Sequence, residues 1–131
     1  MEVEILVICD NAQNYQNKMV VVGPFCVIYA ESCPFTYPAF SLACRLNYNN
    51  LDESGEKIIK IDFLNEKGES FIPTIESSTT IPDSIEDSHI VGLVVGFGNV
   101  KFDSFGKYSI QVTIGDFYRE LPLYVKQKFQ P

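Results

Sequence analysis

His89 is the single histidine of this 131-residue chain. Any hydrolase of Ser-His-Asp type, and most His-assisted metal chemistry, would have to pass through its imidazole. Asp87 and Ser88 stand directly before it. Sequential neighbours alternate across a strand or splay along a turn, however, whereas a triad draws its members from separate segments. His89 shares parity with Val91, Leu93, Val95 and Phe97 and reads as a strand-entry residue on the rim of a core, so no catalytic residue is assigned. Cys9, Cys26, Cys33 and Cys44 form no C-x-x-C pair, the spacing a zinc ribbon or redox motif needs. They are expected as reduced thiols packed like small apolar groups, with no metal and no cofactor. Gly92, Gly96 and Gly98 in GLVVGFGNV lie inside a strand pattern rather than opening a helix, so they point to a bulge or close sheet packing before a phosphate loop.

Carboxylates offer another chemistry. Seventeen Asp and Glu against ten Lys and Arg give a formal charge of −7, which argues against nucleic acid as a partner because phosphate binding needs a net basic face. Segments 10–17, 49–56 and 76–88 hold Asp10; Asp52, Glu53 and Glu56; and Glu76, Asp83, Glu86 and Asp87, with no Lys or Arg among them. Gathered at one place, they would make an electrostatic docking end for a basic protein. With Asn11, Asn49 and Asn50 as further oxygen donors they would instead resemble a rim for a calcium-like cation, although no local D-x-D-x-D-G spacing is present. A solubilising end is the third reading. Phe35 and Tyr37, held between Pro34 and Pro38 in ESCPFTYPAF, are the other interaction candidates. Aromatics in a proline-stiffened crossing lose little entropy on binding; alternatively they fold back over the end of the core.

Strands must position these groups. Phe40, Leu42, Cys44, Leu46 and Tyr48 alternate with Ala39, Ser41, Ala43, Arg45 and Asn47, the period of two that marks a half-buried strand. Tyr108, Ile110, Val112 and Ile114 repeat the pattern, as do Ile59, Ile61 and Phe63. Val3, Ile5, Val7 and Cys9 begin a fourth strand, and parity sends Cys9 and Cys44 into the core. KMVVVGPFCVIYA is apolar on both faces, as a central strand would be, with a bend or break at Gly23-Pro24. FYRELPLYV is an edge strand because Pro122 cannot donate to a ladder, and its ELPLYV stretch could pair with a second copy to form a homodimer. HIVGLVVGF and SFIPTI bring the count to about eight strands, with a short turn of helix possible within 83–88. Strands of an antiparallel meander alternate in direction, so loops 10–17, 49–56 and 76–88 are expected at one end and loop 30–38 at the other.

The reading is an all-β chain: a single domain over 1–131, an antiparallel β-sandwich, with 126–131 as a flexible tail. Asp103, Gly106 and Tyr108 before SIQV resemble the tyrosine corner of immunoglobulin-like sandwiches. Two acids precede a six-residue apolar run in MEVEILVICD, unlike the basic start of a secretory signal. No apolar stretch nears the roughly 20 residues of a membrane helix, so the expectation is a cytoplasmic protein without a membrane partner.

Several short motifs recur in an order resembling a bacterial family of uncharacterised small single-domain proteins. They are VEILVICDNA, KMVVVG, the proline-flanked PFTYP before a strand with Arg45, the Ile81-Pro82 step, FGKY and LPLYV. The resemblance implies a β-sandwich without a known catalytic centre and carries over no functional residue. The functional expectation is a non-enzymatic accessory or protein-interaction module. Its alternative is a loop-end cation or small-ligand domain, and a hydrolase using His89 stands a distant third.

Overall fold

The structure, a computed structural model, describes residues 2–16, 18–48, 55–81 and 89–128. Nine strands form among them: β1 (Glu2–Tyr15), β2 (Lys18–Phe25), β3 (Val27–Ala30), β4 (Phe35–Tyr48), β5 (Gly55–Leu64), β6 (Ile75–Ile81), β7 (His89–Phe102), β8 (Gly106–Ile114) and β9 (Phe117–Gln127). They build a four-stranded sheet in the order β2-β1-β4-β7 and a five-stranded sheet in the order β3-β9-β8-β5-β6. All pairings are antiparallel except β3 with β9, which is parallel.

The alternating segments behave as their periodicity requires. In β8, Tyr108, Ile110, Val112 and Ile114 are buried, and Ile59, Ile61 and Phe63 of β5 and Phe40, Leu42, Cys44 and Leu46 of β4 meet them in one cluster between the sheets. Each such aliphatic side chain taken from water stabilises by roughly 1.5–3 kcal/mol. Phe63 anchors the cluster: its ring lies edge-on to Phe40, Phe71, Phe97, Phe102 and Tyr108, the nearest centroid at 4.7 Å. Part of the sheet-to-sheet contact is thus aromatic, and edge-to-face geometry suits the ring quadrupoles.

Several expectations are corrected. KMVVVGPFCVIYA is not a central strand: it splits at Cys26 into β2 and β3, the outer strands of different sheets. Its apolar character on both faces reflects a chain that crosses between layers. Cys9 is buried but faces away from the core between the sheets. Ile8 stands opposite Leu42 and Leu6 opposite Cys44, and direct partners share a face, so Leu6 and Ile8 point inward while Ile5, Val7 and Cys9 point out. The run ILVIC is apolar at every position, so alternation alone could not choose its inner face; register with β4 did, and the irregularity between Val3 and Ile5 shifted the parity.

Phe35 and Tyr37 lie within β4 rather than on a crossing loop, paired with Phe102 and Val100 of β7. Pro38 is tolerated inside that strand because β1 stops pairing with β4 at Cys9–Ser41, which leaves the first residues of β4 as an edge where a missing donor costs little. Glu76 belongs to β6 and not to a loop, while SFIPTI contributes only a bridge at Ser70 and the start of β6 at Ile75. Lys126 and Gln127, assigned to a tail, pair with Tyr29 and Ala30 of β3.

Residues 10–15 are also strand, and Tyr15 with Lys18 forms the terminal pair of the β1–β2 ladder. Beyond Cys9 this hairpin leaves β4 and folds back over the outer face of the four-stranded sheet. Ala12 joins Cys9 and Ala43 in a second buried cluster, flanked by Ile5, Val7, Met19, Val21 and Val94. The fold-back occurs at Gly23, whose φ of +65° is open to glycine at little cost. Further along, Asn14 reaches across to β7, and a Cβ on Gly92 would stand 2.6 Å from its Oδ1. Gly92 is the close-packing glycine that the strand pattern suggested.

Candidate functional site

Asp10 does not join the other acids. It lies where the hairpin bends, with Oδ2 2.5 Å from where a Cβ on Gly23 would stand. Its charge also raises the pKa of the Tyr37 phenol, second to burial of that phenol. Tyr37 is at the start of β4, the opposite end from Tyr48, so loop alternation misplaced Asp10 because 10–17 is not a loop.

Asp52, Glu53, Asp83, Glu86 and Asp87 lie outside the described residues, as does the possible helical turn within 83–88. The strands that flank their segments are paired, Tyr48 with His89 in one sheet and Gly55 with Ile81 in the other. Glu56 is exposed opposite Thr80, and Glu76 is exposed opposite Lys60. The neighbouring strand therefore supplies beside Glu76 a base that the local sequence lacks. Among the described residues, no group of three or more His, Cys, Asp or Glu is placed to hold a metal ion.

Phe35 and Tyr37 are half-buried rather than projecting. Phe35 stacks on Phe102 at 5.4 Å, and Tyr37 packs against Phe25 at 5.9 Å and Phe40 at 5.8 Å. Both close one end of the core. Arg45, on the outer face of β4, donates from Nε to Glu4 Oε2 at 2.7 Å.

All four cysteines are free. Burial pushes the Cys44 thiol up to about 11. Burial also raises Cys9, whose thiol donates to the Ser41 carbonyl at 3.7 Å, and it raises Cys33 with help from Asp103. A nucleophilic thiol needs the opposite shift. Cys26 alone is exposed, on the crossing between the sheets.

That crossing borders an apolar concavity. A groove of about 290 Å³ is lined by Leu6, Val7 and Ile8 of β1, Pro24 and Phe25 of β2, Cys26, and Leu121 and Pro122 of β9. Its origin is topological. Glu2–Val7 pair with β4 on one side, but β2 accompanies β1 only from Ile8 onward. Likewise β9 pairs with β8 from Phe117 to Val125, while β3 covers only Tyr124–Gln127. Two strand edges, one from each sheet, are left open beneath the β2–β3 crossing, with the core visible between them. No single sequence motif signals this site; its only trace was Pro122 in an otherwise apolar strand.

The two edges differ in quality. Tyr124 N–H donates to the Cys26 carbonyl, so alternation turns the nitrogen of Pro122 towards the same uncovered side. It has no hydrogen to offer there, which blunts the β9 edge. The β1 edge carries no proline.

Among the described residues no helix is long and apolar enough to cross a membrane. Comparison with curated proteins and with solved structures finds no match. Residues 4–126, nearly the whole chain, match a family of unknown function, DUF6941, and the protein belongs to that family.

Proposed function

We propose that the chain is a non-catalytic protein-interaction module built as an immunoglobulin-like β-sandwich. For the fold, support comes from a chain that changes sheets five times, at β2–β3, β3–β4, β4–β5, β6–β7 and β7–β8. The Tyr108 hydroxyl adds to it by donating to the Ser104 carbonyl at 2.8 Å, the backbone contact a tyrosine corner makes. For the function, the observation that carries the reading is the apolar groove between the open edges of β1 and β9. An added extended segment would satisfy the β1 backbone and place alternate side chains between the sheets, which is the logic of strand addition.

The chain's formal charge of −7 favours a segment with apolar residues spaced by Lys or Arg. Asp52, Glu53, Glu56, Asp83, Glu86 and Asp87 would add long-range attraction for such a basic partner, acting on the association rate more than on affinity.

A displayed library of extended peptides tests this. Apolar-basic alternating sequences should be enriched with dissociation constants below about 100 µM, and Leu121→Glu, checked for an unchanged far-ultraviolet spectrum, should abolish their binding. Enriched peptides indifferent to Leu121→Glu, or no enrichment at all, would sink the proposal.

A further inference from the structure

We propose that the outer edge of β2 pairs antiparallel with the same strand of a second copy, forming a two-fold dimer with Val21 on the axis. This surface is separate from the peptide groove and stands without it.

The hairpin geometry selects the strand. Tyr15 and Lys18 close the β1–β2 turn, so their N–H and C=O groups face each other. Alternation then turns those of Met19 and Val21 to the uncovered side, since β2 is the last strand of its sheet, and the row ends at Gly23, whose φ is +65°. Pro24 lies beyond the end of that row, which is itself free of proline, unlike the β9 edge at Pro122. With Val21 opposite its own copy, the outward N–H and C=O groups of the two Val21 residues face each other across the axis.

Charge selects the partner. A chain of −7 repels its own copy over most approaches, but β2 carries no charge from Met19 to Phe25. Antiparallel pairing also brings Lys18 to the Gly23 end of the second copy, where Asp10 lies against the backbone. Outward from the sheet, Val20 and Val22 are 53% and 52% exposed, and in this register they become direct cross-strand neighbours. The remaining outer strands suit pairing less well. β3 has four residues, β6 presents Glu76 with Ser and Thr, and β7 contains three glycines. Short, polar or glycine-rich edges specify register poorly.

Sedimentation equilibrium of the full chain tests the proposal. A concentration-dependent dimer is expected at tens of micromolar, on the order of weak strand-mediated pairs. Val20→Lys with Val22→Lys sets like charges opposite each other and should raise the dimer dissociation constant about tenfold or more. Val20→Lys with Val22→Glu sets opposite charges together in this register and should restore it. Both changes are at solvent-facing positions, and an unchanged melting temperature of the diluted protein verifies folding. A strictly monomeric wild type, a Lys/Lys variant that still dimerises, or no recovery in the Lys/Glu variant overturns the proposal. So does a dimer broken by Glu120→Pro on β9 but not by Lys/Lys.

Discussion

The four-stranded sheet buries both of its faces by different means. Its inner face carries Phe40, Leu42, Cys44 and Leu46 into a cluster rich in large rings and branched aliphatics. Its outer face is closed over Cys9, Ala12 and Ala43 by a two-stranded hairpin. Ala43 is as inaccessible as Leu42, yet one is covered by a whole second sheet and the other by a ribbon that folds back at Gly23. Equal burial here does not mean equal stabilisation, because the apolar area each side chain removes from water differs severalfold and the covering elements differ in how firmly they are held.

Four measurements break or sharpen this contrast. The largest effect is expected from Phe63→Ala, which opens the aromatic centre; a loss of about 3–5 kcal/mol in urea unfolding is expected, and a loss below about 1 kcal/mol would remove the distinction between the two faces.

The second uses Cys44. Its folded pKa of about 11 lies above the ordinary 9.0, so the native state holds its proton more tightly than the unfolded state. Stability from this group is complete below pH 9 and is lost as pH rises towards 11, by about 2–3 kcal/mol at most. Cys44→Ala should flatten that part of the urea-midpoint profile.

Ala43→Leu comes third. A larger side chain beneath the hairpin should cost about 1–3 kcal/mol and lift the ribbon, so Cys9 alkylation should accelerate under native conditions while Cys44 stays protected. Equal acceleration of both would show that the two clusters open as one. The smallest effect is expected from Gly92→Ala. Its methyl meets the end of the Asn14 side chain, which can swing aside, and the cost should be below about 1 kcal/mol. Hydrogen exchange confined to the hairpin would locate it.

How much of this was legible from residues alone depends on contrast within each strand. In β4, β5 and β8 polar and apolar positions alternate sharply, and the inner faces follow directly. Where contrast vanishes, as in ILVIC and KMVVVGPFCVIYA, periodicity gives strand without side, and both the facing of Cys9 and the sheet change at Cys26 went unread. Phe35 and Tyr37 were recognisable as an aromatic pair between prolines, but not as members of a ladder, because the edge that tolerates Pro38 exists only after β1 turns away. The acidic segments were visible as composition; that Asp10 lies apart from Glu56, and that Lys60 stands opposite Glu76, depends on pairings distant in the chain.

By itself, then, the sequence determined an all-β chain, the inner faces of β4, β5 and β8 and the missing donor at Pro122, because those follow from local backbone geometry and a period of two. Only the tertiary structure decided which strands lie at the edges, that a hairpin covers the outer face, and that two open edges enclose an apolar groove. Each of these is a statement about which segments are absent from beside a strand, and no local pattern of residues encodes the absence of a distant neighbour.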